Sequence, residues 1–186
     1  MRPFDRDEAR LLGSVRMMAE DKPKPSEITA RTAARIAAVQ ALYQMDMAGT
    51  DLNDVIAEFL NERLSGDNRD EMLAGADRVF FADILRAVVR RQREIDPMID
   101  EQLAVGWRLV RVDSILRAIL RGGVAELVDR YDVPARVAIS EYVNVARVFF
   151  DEEEPRVVNG VLDKLARRLR TSEFEKKPVT PSQGGA

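Results

Sequence analysis

An all-α fold of about seven helices in two packed helical-bundle subdomains is what the sequence predicts, and three observations predict it. Apolar residues recur at helical spacing through nearly all of residues 26–170, and no segment alternates convincingly with period two. Helix-capping side chains stand where the apolar stripes begin. The segments between the stripes are short, as in helical bundles.

Ser26, followed by Glu27, caps a first helix that runs to about Met45 and is closed by Gly49. Thr50 and Asp51, with Asp54, open a second, whose stripe is Leu52, Val55, Ile56, Phe59 and Leu60. Asn68 and Glu71 resemble a capping box for a long third helix to about Ile95, with Met72, Val79, Phe80, Ile84, Leu85, Val88 and Val89 as its apolar face. Asp96-Pro97 reads as a cap with proline at the first helical position, so a short fourth helix is expected, interrupted at Gly106-Trp107. Asp113 caps a fifth, carried by Ile115, Leu116, Ile119, Leu120, Leu127 and Val128. Asp132-Val133-Pro134 begins a sixth, with Val137, Ile139, Tyr142, Val143, Ala146 and Phe149. Pro155 lies in the first turn of a seventh, built on Val158, Val161, Leu162, Leu165 and Leu169. Gly122-Gly123 and Asn159-Gly160 fall inside helices, where a glycine costs about 1 kcal/mol relative to alanine. Tight helix crossings are expected at both, unless one is simply a helix break.

The two ends differ from the middle. Residues 1–27 form a charged extension, linker-like at Lys22-Pro23-Lys24-Pro25, in which Leu11, Val15 and Met18 have the spacing of a short helix. Residues 171–186 are rich in Pro, Gly and Ser and are expected to be a disordered tail. The helical domain is therefore 28–170, with subdomains of about 28–95 and 96–170.

Composition narrows the chemistry. The 186 residues are 46% hydrophobic, enough for a sizeable core, and contain neither cysteine nor histidine. Disulfides, thiolate nucleophiles, histidine bases and the usual zinc ligands are excluded, which shifts the expectation from an enzyme to a binding or scaffolding protein. No phosphate-binding glycine loop and no nucleophile–base pairing is present. The acidic run Asp151-Glu152-Glu153-Glu154 lacks the pattern of a calcium loop and suits the N-terminus of the helix that follows; no metal and no cofactor are expected. No segment has the length and apolarity of a membrane span, and the charged start does not resemble a signal peptide, so a cytoplasmic protein is expected. The net charge is −3, yet 24 of the 29 cationic residues are arginine. Codon bias explains such an excess; so does phosphate recognition, for which guanidinium is well shaped.

The first helix is the candidate site. Ile36, Val39 and Tyr43 share a core face, whereas Arg31 and Arg35 share an azimuth to which apolar Leu42 returns. A stripe that is basic at the start and apolar later fits a helix whose first turns project from the body. Two guanidinium groups would then stand near free amides, an arrangement suited to phosphate. Two solvated arginines on an ordinary amphipathic helix satisfy the same spacing.

The run Ala30-Arg31-Thr32-Ala33-Ala34-Arg35-Ile36-Ala37-Ala38-Val39-Gln40-Ala41-Leu42-Tyr43 resembles the first helix of the bacterial NusB family of transcription antitermination factors. Three later stretches resemble the same family in the same order: Leu116 to Leu127, Asp132-Val133-Pro134 through Ile139-Ser140-Glu141, and Val157-Val158-Asn159-Gly160-Val161-Leu162-Asp163. The resemblance spans about residues 28–170. It implies a non-catalytic, seven-helix protein that pairs with NusE, a small-ribosomal-subunit protein, to bind boxA RNA, notably of ribosomal RNA operons, and to assemble an antitermination complex on RNA polymerase. Residue by residue it implies RNA contact by Arg31 and Arg35, RNA and NusE contact by Tyr43, RNA stacking by Phe149 and NusE contact by Glu153. Phe149 is equally readable as a core aromatic. Relatives often carry more arginine where this chain has Thr32-Ala33-Ala34, so a protein–protein adaptor with little RNA affinity of its own is the alternative. Homodimerisation, known in the family, is a further possible association. A third class, the helical domain of a ribosomal-RNA methyltransferase, fits poorly with the absence of cysteine.

Overall fold

The computed structural model describes residues 23–66 and 70–175. The expected helix at Leu11–Met18 and the expected cap Asn68 lie outside the described residues. Six α-helices are present: α1 (Ala30–Ala48), α2 (Leu52–Glu58), α3 (Arg78–Asp100), α4 (Ser114–Asp129), α5 (Ala135–Phe149) and α6 (Glu153–Leu169). Short 3-10 turns at Pro25–Glu27, Leu109–Arg111 and Thr171–Glu173 and a π-helical turn at Phe59–Arg63 complete the described structure, in which there is no strand.

The aspartates that the sequence marks as caps at α2 and α4 act as such. Asp51 accepts from the Asn53 amide, and Asp113 from those of Ile115 and Leu116. Three boundaries differ from expectation. α1 starts at Ala30 rather than after Ser26, because Ile28 is extended and packs against the core, leaving Thr29 as the cap. α3 starts at Arg78 on an Asp77 cap, since Gly75 adopts φ +68, a left-handed conformation that ends the preceding turn while Leu73 stays buried. The separate fourth helix does not form; α3 runs through Pro97 to Asp100. Proline there forfeits one backbone hydrogen bond near the helix end, and the complete burial of Ile95 and Ile99 outweighs that loss. The expected subdomain boundary near residue 95 thus falls inside α3.

α4 is the hub. It packs on α1, α3, α5 and α6, and every residue from Ala118 to Leu127 is buried. The buried apolar side chains, Ala33 apart, form a single connected cluster that spans both halves. Arg121 fastens three helices at the edge of this core, bidentate to Asp96 of α3 at 2.8 Å and reaching Asp46 of α1 at 3.1 Å. Val79, Val89 and Val137, expected on core faces, are exposed, because Phe80, Val88 and Ala138 beside them take the inward positions. Among the described residues no helix is long and apolar enough to cross a membrane.

The glycine pair in α4 marks close crossings, as expected. A Cβ on Gly122 would lie 3.0 Å from the Tyr142 ring, and one on Gly123 would lie 2.8 Å from the Leu162 side chain. Gly160 differs: a Cβ there would meet nothing within 4 Å. The expected tight crossing at Asn159-Gly160 is absent because that turn of α6 faces outward. Opposite signs follow. Gly160→Ala gains up to about 1 kcal/mol of helix propensity. Gly123→Ala loses stability, since overpacking against fully buried Leu162 costs about 1–3 kcal/mol and exceeds the same gain. Urea midpoints that rise for the first variant and fall for the second bear this out.

Candidate nucleic-acid interface

The start of α1 is tied down through threonine and carboxylate chemistry. The Thr29 hydroxyl accepts from the Thr32 amide at 3.1 Å, so part of the helix N-terminus is already occupied. The Thr32 hydroxyl donates to Glu141 Oε2 of α5 at 2.7 Å. Arg31 points outward. Its guanidinium lies 5.1 Å from the Phe80 ring centroid and 3.9 Å from Asp132, a loose pair between exposed groups.

Arg35 does not share that exposure. It is 2% exposed, with Nε and Nη2 bidentate to Glu126 of α4 at 3.0 and 2.5 Å, and Nη1 donating to Glu141 at 2.9 Å. Burial works against its charge, but the hydrogen bond and the charge of Glu126 prevail and hold the guanidinium above its ordinary range. The shared azimuth of Arg31 and Arg35 is real; what differs is depth. One turn further along α1, that azimuth is covered by α4 and α5, so Arg35 faces two carboxylates instead of solvent. Its guanidinium is committed within the fold, and the projecting pair of arginines expected from the sequence is reduced to Arg31.

Tyr43 lies twelve residues beyond Arg31, about 18 Å along the helix axis at 1.5 Å per residue. It is exposed and lines a cleft of about 410 Å³ with Gln40, Met47, Ile115 and Phe149. Phe149, at the end of α5, is half-buried: it packs against the core and also forms a wall of this cleft. Phe149 is therefore a core aromatic that is also accessible from the cleft. Glu153 opens α6 and lines a second cleft of about 330 Å³, with Trp107, Arg108, Arg111 and Leu116. The two clefts flank the start of α4, Ile115 facing one and Leu116 the other. The fold thus brings Tyr43 and Phe149 together, sets Glu153 in the neighbouring cleft, and leaves Arg31 at the opposite end of α1.

The sequence reading missed several neighbours. Met47 and Trp107 are exposed apolar side chains on the two clefts. Arg130 reaches Asp132 at 2.9 Å and stacks 5.1 Å from Phe80, beside Arg31. Its hydrogen bond, with the charges of Arg130 and Arg31, holds the Asp132 carboxyl below its usual range. Glu126 carried a legible signal: an acid within the apolar stripe of α4 needs a cationic partner.

Known proteins resemble this arrangement. Residues 32–167 match the NusB family model. The chain is 49% identical over 162 residues to the transcription antitermination protein NusB of Bradyrhizobium diazoefficiens, covering 84% of this chain and 98% of that protein. It is 52% identical over 144 residues to the protein of the same name from Nitrobacter hamburgensis, covering 77% and 90%. Among solved structures, T. maritima NusB is similar with a TM-score of 0.64 at 26% identity, covering 80% of this chain and 99% of that one. A chain in the crystal structure of antitermination factors NusB and NusE in complex with dsRNA is similar with a TM-score of 0.62 at 27% identity, covering 75% and 97%.

Proposed function

The chain belongs to the NusB family of transcription antitermination factors, and we propose that with NusE it recognises single-stranded boxA-type RNA, notably of ribosomal RNA operons, and helps assemble the antitermination complex on RNA polymerase. It is a regulatory protein and not an enzyme. A cytoplasmic location accords with action on nascent RNA. The observation that carries the RNA reading is the open cleft in which Tyr43 and Phe149, from two different helices, offer aromatic faces to an unpaired base. Arg31 supplies a phosphate contact at the other end of α1. Met47, Trp107 and Glu153, on the adjoining clefts, suit the protein partner: two exposed apolar side chains with a charged neighbour.

The adaptor alternative gains support from Arg35, whose burial removes one of the two cations proposed for RNA. The test is a salt titration of binding to boxA-type RNA, with and without NusE and at several protein concentrations, so that a competing homodimer is exposed. Arg31→Ala weakens binding and lowers the slope of log affinity against log salt by about 0.7, the contribution of one phosphate on a single strand. An unchanged slope and affinity would remove Arg31 from the site. Binding to NusE without RNA affinity of the chain itself would establish the adaptor instead.

A further inference from the structure

The loop between α4 and α5 carries an aromatic side chain with no role in the site described above. Tyr131 is 70% exposed, yet its ring is backed: the Arg170 guanidinium sits 4.6 Å from the ring centroid. Arg170 is itself buried and donates to the carbonyls of Leu127, Arg130 and Val133, which bracket Tyr131 in the chain. A fixed cation therefore supports one face of the ring, and the other face meets solvent. The neighbouring residue is Asp132, which ties the loop to Arg130 at 2.9 Å and stands 3.9 Å from Arg31. Tyr131 is thus one residue from the aspartate that faces Arg31 at the start of α1, and it is not among the residues lining the Tyr43–Phe149 cleft.

We propose that Tyr131 is a stacking platform for an unpaired RNA base, extending the RNA surface from Arg31 across the α4–α5 loop. The inference rests on the RNA reading above. A flat, supported ring one residue from the aspartate that faces an exposed guanidinium suits the alternation of base and phosphate in a single strand. A tyrosine held in place loses little conformational freedom on binding. Arg31 is available to phosphate because its pairing with Asp132 is long and solvent-exposed. A mere cover for Arg170 would require only apolar bulk, which leucine supplies as well.

The experiment compares the wild-type chain with Tyr131→Leu, Tyr131→Phe, Tyr131→Trp and Arg31→Ala. Each is titrated with a short single-stranded boxA-type RNA carrying 2-aminopurine at successive positions, alongside thermal unfolding. Tyr131→Leu is expected to weaken binding about 5- to 140-fold, the 1–3 kcal/mol of a base–aromatic stack at 1.4 kcal/mol per tenfold, and to abolish fluorescence quenching at one RNA position. Tyr131→Phe and Tyr131→Trp keep both, so that a folding defect confined to the leucine variant leaves the proposal testable. If Tyr131→Leu binds and quenches like wild type while Arg31→Ala is weakened, the platform is wrong and the RNA reading stands. If wild type binds no RNA, the RNA reading fails and the platform with it. Loss of NusE capture by Tyr131→Leu with unchanged RNA affinity would make Tyr131 a protein contact and overturn the proposal.

Discussion

Replacing Arg35 with alanine lowers the unfolding free energy by about 3–5 kcal/mol, the usual consequence of stranding one partner of a buried ion pair. The side chain of Glu126 is fully buried, and Arg35 provides both of its charged hydrogen bonds. Without the guanidinium, an uncompensated carboxylate remains inside the most buried helix of the fold. For a domain whose total stability is on the order of 5–15 kcal/mol, such a loss decides whether the protein is folded at 37 °C. Lysine does not rescue it, because a point charge cannot reproduce the planar fork that binds Glu126 twice and Glu141 once. The double variant Arg35→Met with Glu126→Leu recovers most of the loss, since no fully buried ion is left unpaired and Glu141 keeps the Thr32 hydroxyl and partial exposure. Denaturant midpoints of the three variants measure all of this. A wild-type midpoint for Arg35→Ala, accompanied by lost RNA binding, would return Arg35 to the RNA surface.

Arg35 also illustrates where sequence reading reaches its limit. Helices with local signals are legible: Asp51 and Asp113 sit as caps in the sequence and in the fold, and the stripes of α2 and α6 face inward with Leu52, Leu60 and Leu169 at the margin. The depth of a polar residue is not local. Arg35 is buried by partners 91 and 106 positions away, and helical spacing records an azimuth without saying what covers it. Pro97 fails for a related reason. Its local preference for a helix start yields to the packing of Ile95 and Ile99 on residues remote in sequence. Of the candidate site, the association of Tyr43 with Phe149 follows the family resemblance, whereas Tyr131 has no motif and becomes visible only when Arg170 is found behind it.

The arginine excess acquires a use that neither codon bias nor phosphate binding describes. Arg35, Arg121 and Arg170 are buried, and each joins three or more segments of chain through guanidinium forks. Lysine, with its compact charge, fits such positions poorly. Under the proposed function, RNA contact then falls to exposed arginines whose pairing is loose, Arg31 foremost.

Removing the Arg170 guanidinium is expected to cost about 3–5 kcal/mol, because several buried carbonyls lose a charged donor at once and each unsatisfied acceptor costs roughly 1–3 kcal/mol. The group donates to the carbonyls of Glu126 and Leu127 at 3.1 and 2.7 Å, near the end of α4, and to those of Arg130 and Val133 at 2.8 and 2.6 Å in the loop that follows. The Glu126 and Arg130 carbonyls also accept from the Arg130 and Val133 amides, so it is chiefly for the Leu127 carbonyl at the helix end that Arg170 does what a polar cap does elsewhere. It also pairs with Glu173 at 3.0 Å, and Glu173 accepts from the Ala135 amide at 2.7 Å, capping α5 where Pro134 has no side chain to do so. The tail expected to begin at residue 171 is therefore structured through Glu175, and its first residues close the fold. The Ala135 amide, with Arg170, holds the Glu173 carboxyl below the ordinary glutamate range. The stability from this cap is accordingly present above that range and is lost as pH falls through the lowered value. Chains ending at residue 175 and at residue 169 separate the contributions. The first keeps the wild-type unfolding midpoint. The second matches Arg170→Ala or falls below it, because it loses the α4 clamp and the α5 cap together. Equal midpoints for the two truncated chains would show that Arg170 is a passenger.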